Sequence, residues 1–288
     1  MQQIGQGVFY EDFYLGVTLG ALTFPHGIIM IDAPLRVEDA RSWRSALINQ
    51  RGGPNRLLVC LDEHPDRMLG LRTLESTIVT HQHIAHIFRN RPTIFKGQNA
   101  ERGAVWETYG DAIGMRWAAP DITFTERMSL HWGGPEIVLE HHPGPTPGSI
   151  WVIIPELKIV FVGDMVLLDQ PPFLADADLG AWLDGLAVLS DSYSDYMIIS
   201  GRGGATTMDA VKAQAKFLRN VKEQLEQLAS RSVSPEATDA LLIPLLRNFS
   251  FADEWRELYM QRLQYGLYQC YARIYQSRNS SVISDDEI

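Results

Sequence analysis

Residues 61–67 read Leu61-Asp62-Glu63-His64-Pro65-Asp66-Arg67, which places three carboxylates, an imidazole and a guanidinium in seven positions. Carboxylates and neutral imidazole are ligands for divalent cations. A guanidinium stays charged and pairs bidentately with carboxylates. Further on stand His141-His142-Pro143-Gly144-Pro145-Thr146-Pro147-Gly148-Ser149, then Gly163-Asp164, then Gly201-Arg202-Gly203-Gly204. The last string precedes a helix and suits an anion, but it lacks the lysine and spacing of a phosphate loop, so a plain turn is the stronger reading. His81, His83 and His86 resemble a metal motif in isolation; a strand end running into a helix is the plainer account, with a site there as the alternative. Cys60 would need exposure and a basic partner such as His64 to act as a nucleophile, and packing in a buried strand explains it more simply.

The elements that must position these residues are short. Apolar runs bounded by turn residues predict strands at 17–24, 27–31, 56–60 and 76–80, and helices at 37–50, 84–91 and 98–115. A second strand-rich block follows at 121–124, 128–132, 136–141, 149–154 and 158–162. Helices at 179–190 and 208–229 flank a strand at 196–199, and Thr206 or Thr207 would cap the longer helix. Ser234-Pro235-Glu236 opens a short helix, and 251–277 has helical periodicity through Trp255, Tyr259, Leu263, Leu267, Tyr271 and Ile274. That aromatic helix would pack on its own domain, line a cleft or form a dimer seam.

The chain has 288 residues, 45% hydrophobic and 21% charged, proportions that exclude disordered and collagen-like classes. Its 25 Lys and Arg against 35 Asp and Glu give a formal net charge of -10, which argues against nucleic acid or an anionic membrane as partner. Two cysteines, Cys60 and Cys270, exclude a disulfide scaffold and a cysteine-rich zinc module. The polar, uncharged start and the absence of a long apolar run point to a soluble, cytoplasmic protein.

Four segments in this order resemble the metallo-β-lactamase-fold superfamily. They are Gly27 to Asp32, Leu57 to Gly70, His142 to Ser149, and Val160 to Asp164 together with Ile198 to Gly203. The resemblance implies an α/β (α+β) class, a four-layer αββα sandwich over 1–230, with a helical extension at 231–277 and a disordered acidic tail at 278–288. In that family a His-x-His-x-Asp-His loop, a Pro-Gly-His-Thr turn, a Gly-Asp and a Gly-His-Gly hold two zinc ions that activate a hydroxide. By that correspondence Asp62 and Arg67 stand where histidines belong, Pro145 and Arg202 replace two more, and His64, Asp66 and Asp164 are kept. Asp32 resembles the family's structural aspartate that braces the metal-binding loop.

Two functional readings follow. In the first, Arg67 and Arg202 take the place of the two cations, no cofactor is bound, and the protein is a non-catalytic pseudo-hydrolase whose cleft takes an anionic small molecule or whose surface engages a partner. In the second, Asp62, His64 and Asp164 hold one divalent metal (manganese, iron or zinc), with His141 or His142 as an added ligand. Asp66 then orients or deprotonates water, and Arg67 or Arg202 steadies the developing oxyanion. The amphipathic C-terminal helix makes a homodimer through the C-terminal helices plausible in either case, and the sequence leaves the oligomeric state open.

Overall fold

The computed structural model describes residues 1–50, 53–90, 92–96 and 101–276. Strands β1 (Gln2–Gly5), β2 (Val8–Glu11), β3 (Leu19–Phe24) and β4 (Gly27–Ile31) lead to helix α1 (Val37–Asn49). β5 (Asn55–Val59), the one-turn helix α2 (Pro65–Met68), β6 (Thr77–His81), α3 (Gln82–Asn90), α4 (Val105–Thr108) and β7 (Ile122–Phe124) follow. The second half runs β8 (Arg127–Leu130), β9 (Ile137–His141), β10 (Ile150–Ile154), β11 (Ile159–Phe161), α5 (Leu179–Ser192), β12 (Met197–Ile199), β13 (Ala205–Thr206) and α6 (Met208–Ser230). Helices α7 (Leu242–Leu246) and α8 (Arg256–Tyr271) close the described chain.

Among the described residues the strands form two sheets, one in the order β1 to β7 and one in the order β13-β12-β11-β10-β9-β8. β10 shows how sequence sets the layers. Its run Ile150-Trp151-Val152-Ile153-Ile154 is buried throughout, the mark of a strand covered on both faces. Val152 and Ile154 point to a middle layer with Leu22, Ile29 and Val59 of the first sheet. Trp151 and Ile153 point the other way, onto Trp182, Leu186 and Leu189 of α5 and Val211, Leu218 and Val221 of α6. On the outer face of the first sheet, Ala21, Met30 and Leu58 pack against Ala40, Trp43 and Leu47 of α1. The result is the four-layer αββα sandwich, with α8 added to the second helical layer through Leu263, Leu267 and Tyr271.

Several local expectations change. Over the described part of the helix predicted at 98–115, only α4 and a single 3₁₀ turn at Gly110–Ala112 form, because Gly103 and Gly114 adopt positive φ of 61° and 89°. The strand at 122–124 pairs in parallel with β6 and so belongs to the first sheet, not to the later block. The hairpin β1–β2 has no counterpart in the sequence reading. Thr207 is the N-cap of α6, yet its side chain makes no capping hydrogen bond. Residues 97–100, residue 91 and the tail expected at 278–288 lie outside the described residues. No described helix is long and apolar enough to cross a membrane.

Candidate functional site

β4 and β5 run parallel, as do β11 and β12, so the segments leaving their C-terminal ends meet at one edge of the sandwich. Asp32 follows β4 in a left-handed conformation, φ 59°, and its Oδ1 accepts the Leu61 N–H at 2.9 Å, bracing the loop after β5. In that loop the Asp62 carboxylate accepts the His64 backbone N–H at 2.9 Å, and Pro65 at the first turn starts α2. α2 carries Asp66 and Arg67, both fully buried. Asp164 sits in the turn after β11, and Arg202 in the turn after β12.

Arg67 is the hub. Its Nη1 donates to Asp32 Oδ2, its Nη2 donates to Asp164 Oδ1, and its Nε faces Asp62 Oδ2 at 3.0 Å. Arg202 forms the second hub. Its Nη1 and Nη2 donate to the two oxygens of Asp66, its Nε lies 3.2 and 3.1 Å from the two oxygens of Asp164, and Nη1 also reaches the Gly16 carbonyl at 3.1 Å. His64 Nδ1 lies 3.0 Å from Asp62 Oδ1 and 3.4 Å from Asp164 Oδ2. The structure therefore brings Asp62, His64, Asp66, Arg67, Asp164 and Arg202 into one network, with Asp32 as an added carboxylate.

The electrostatics follow from four carboxylates facing two guanidiniums in a dry site. Burial raises Asp62, but the charges of Arg67 and His64 outweigh it and hold the carboxyl well below the ordinary range. Asp164 behaves alike: burial opposes, and Arg202 and Arg67 prevail to lower it. Burial lowers His64, and the Asp62 and Asp164 carboxylates reverse this to a net rise. Asp32 goes the other way, pushed up to about 7 by burial despite Arg67. Glu63, buried and accepting the Thr146 hydroxyl at 2.7 Å, also rises to about 7, from burial and then the Asp62 charge.

A dinuclear metal group does not fit these residues. Arg67 and Arg202 already hold the carboxylates that would bind the ions, and Pro145 offers no donor atom. A single ion has a donor set: ligand atoms of Asp62, His64 and Asp164 lie within 4.8 Å of one another, a spacing that can hold a metal. Each carboxylate oxygen of that trio, however, already faces a guanidinium or His64. A cation about 4 Å from Arg67 would meet roughly 4 kcal/mol of repulsion per unit charge at an effective dielectric of ~20. His141 and His142 do not enter the centre. His141 contacts the Pro147 carbonyl at 2.9 Å, and His142 stacks on Trp151 at 3.6 Å and faces Glu140.

The remaining sequence candidates are placed elsewhere. His81 stacks on His141 at 3.8 Å, and its pKa falls to about 4 from burial and then the His141 charge. His83 approaches Glu63 at 3.8 Å, while His86 is exposed, so the three do not converge. The Cys60 thiol donates to the Asp62 carbonyl at 3.1 Å, and burial raises its pKa well above the usual thiol value, which removes it as a nucleophile.

Over the network lies a roof that the sequence reading did not identify. The Phe173 ring sits 5.0 Å from His64 and 5.2 Å from Trp106, with the Arg202 guanidinium 4.9 Å from its centre. From α8, Arg262 lies 4.0 Å from the same ring. A cavity of about 20 Å³ remains, lined by His64, Trp106, Pro145, Phe173, Arg262 and Tyr265, room for one water. α8 fits this close because Gly103 has no side chain: a Cβ there would lie 2.2 Å from the Arg262 nitrogen. The detectable signal was a charged residue, Arg262, next to the apolar stripe of α8 at Tyr259, Leu263 and Leu267.

The sequence profile of the Metallo-beta-lactamase superfamily matches residues 63–195. No curated protein matches the chain in sequence. Among solved structures, a double mutant of the sec-alkyl sulfatase PisA1 superimposes with a TM-score of 0.69 at 13% identity, over 97% of this chain and 51% of the sulfatase. The chain thus spans about half the length of that protein. A metallo-beta-lactamase from Pontibacter korlensis gives a TM-score of 0.57 at 19% identity, over 76% of this chain and 98% of its own. The metallo-beta-lactamase DIM-1 gives 0.58 at 14%, over 76% and 96%. At such identities the likeness is one of fold.

Proposed function

We propose that this member of the metallo-β-lactamase superfamily uses guanidinium groups where its relatives use metal ions, and acts as a non-catalytic protein that binds a ligand or partner at its cleft. The observation that carries the reading is Arg67, fully buried and directed at Asp32, Asp62 and Asp164 at once. Hydrolysis on this fold rests on a cation that makes water acidic near neutral pH. A guanidinium supplies charge but has no open coordination position, so it can hold the loops together without activating water. The network in this reading is a structural replacement: it ties the ends of β4, β5, β11 and β12 to one another while the edge of the sheet stays closed.

The ligand in this reading is a small anion, consistent with the arginines that face the cleft, and nucleic acid and membranes are not partners of a chain with net charge -10. A cytoplasmic location belongs to the same proposal. So does a homodimer, which would use the outer side of α8, where Tyr268 is exposed, because the inner side is packed on its own domain.

A second reading has one observation in its favour, the Asp62, His64 and Asp164 trio. There the three residues hold one divalent metal, which supplies an acidified water when bound; Asp66 orients or deprotonates that water and an arginine steadies the oxyanion. It requires Arg67 to leave two of its three carboxylates. Calorimetric titration with zinc and manganese separates the readings. The wild type should take up neither stoichiometrically, whereas the combined Asp62→His, Arg67→His, Pro145→His and Arg202→His variant should bind zinc. One equivalent in the wild type, abolished by Asp164→Asn, would establish the second reading and refute the first.

A further inference from the structure

Arg262 is a buried cation that forms no salt bridge with a carboxylate among the described residues. It is 2% exposed. Its Nε donates to the Gly103 carbonyl at 2.9 Å, and its Nη1 donates to Gln170 Oε1 at 2.9 Å and to the Pro171 carbonyl at 3.1 Å. All three acceptors are neutral, and no described residue accepts a hydrogen bond from Nη2. The rings of Phe173 and Tyr259 lie 4.0 and 5.0 Å from the guanidinium carbon. The carboxylates nearest in charge, Asp66 and Asp164, are already bound by Arg202. Burial, and then the charge on Arg202, lower the Arg262 pKa to about 9, which leaves it cationic at neutral pH. A buried charge kept without an anion costs several kcal/mol in general, so the position invites one.

The void beside Arg262 has the character of a head-group pocket. Arg102 lines it and is loosely held, its Nη1 3.5 Å from Asp176 Oδ2, with the two side chains 34% and 63% exposed. Asp176 lines the void as well, so the chain's own carboxylate already stands beside the spare cations. Trp106, Phe173 and Leu174 give the void an apolar wall, with His64 and Tyr265 also at its edge.

We propose that this void is the head-group pocket of a small monocarboxylate, whose carboxylate takes the free Nη2 of Arg262, displaces Asp176 from Arg102, and turns its apolar end to Trp106 and Phe173. The charge sets the class. Arg262 is unpaired and Arg102 is shared with Asp176, so about one unit of positive charge is spare, enough for a monoanion and not for a phosphate or sulfate dianion. At about 20 Å³ the void has room for one water-sized group, so the carboxylate enters only with an outward shift of the Phe173 ring. An acid with a tail must move that ring further, which makes Phe173 the determinant of chain length. This inference rests on the reading of the cleft as ligand-binding.

The test uses the full chain with phenanthroline, a neutral chelator, so that neither metal nor a competing anion can mediate binding. Acetate and butyrate are titrated by calorimetry and thermal melts at matched ionic strength, with chloride, sulfate and inorganic phosphate beside them. Expected is saturable binding of the two acids and not of the three inorganic anions. Loss of one charge-assisted hydrogen bond should weaken affinity about tenfold in Arg262→Lys and Arg102→Gln. Asp176→Asn should tighten it, and Phe173→Ala should favour butyrate over acetate. Arg102 and Asp176 are at the surface, so their variants remain informative if changes at Arg262 unfold the protein. No saturable binding in wild type and Asp176→Asn, unchanged affinity in Arg102→Gln, or tighter binding of sulfate or phosphate would overturn the proposal. Metal content measured on the same samples tests the metal-free reading separately, because acid binding is read with the chelator present.

Discussion

Arg67 and Arg202 carry charge into a region where the fold offers no water to solvate it, and the aspartates around them make that tolerable. Removing one member therefore leaves its partners buried and unpaired. Arg67→Met should cost roughly 3–5 kcal/mol in chemical denaturation, the usual penalty for breaking a buried pair from one side; a loss below about 1 kcal/mol would mean that the network contributes little. The titration of the same groups sets the pH profile. Asp62 and Asp164 are depressed in the folded state, so the stability they add is present above the ordinary carboxylate range and disappears as acid protonates them. His64 is raised, and Asp32 and Glu63 are raised to about 7, so their contributions are complete at low pH and are lost as pH rises through the folded values. The melting temperature should peak at roughly pH 4–5, near the ordinary carboxylate range, and fall on both sides, with Glu63→Gln flattening the alkaline limb. A melt that rises steadily from pH 5 to about 8 would contradict these assignments. At this scale the sequence was informative because the motif order pairs each centre residue with a strand end. It was silent on Arg262, Phe173 and Trp106, whose meeting depends on contacts such as Arg262 to Gly103, 159 residues apart.

At the scale of elements, the strands buried on both faces were legible, since runs such as Ile150 to Ile154 have no other stable environment. So were the long amphipathic helices α1, α5 and α6. The hairpin β1–β2 was not, because its first strand is polar and exposed at Gln2 and Gln3 and gives no periodic signal. The stretch around Trp106 reads as a helix by composition, and the positive φ of Gly103 ends that reading. Gly103 also sets how closely α8 approaches the cleft. Gly103→Ala forces a Cβ against the α8 backbone at 2.2 Å in a conformation that L residues resist, and should destabilise by about 2 kcal/mol or more. Hydrogen exchange should localise the damage to α8, with the central sheets still protected. Uniform loosening of the sandwich would show instead that α8 is integral to the main core.

Across the whole molecule, the αββα frame matches metallo-β-lactamases over 76% of this chain while the residues at the edge where those strands end form an ion-paired cluster. Fold and site are thus separable: the layers depend on apolar periodicity, and the centre depends on a handful of side chains delivered by loops. The chain carries a net charge of -10, and in its interior Arg67 and Arg202 are each paired with aspartates. In the reading proposed for the cleft, Arg67 and Arg202, and not metal ions, balance the buried aspartates. Elemental analysis by plasma mass spectrometry on protein purified without a histidine tag, with thermal melts in the presence and absence of a chelator, tests it most directly. Manganese, iron and zinc should all be far below one equivalent, and the melt indifferent to the chelator. Near one equivalent of any of them, with a melt that drops when the chelator is added, would contradict it.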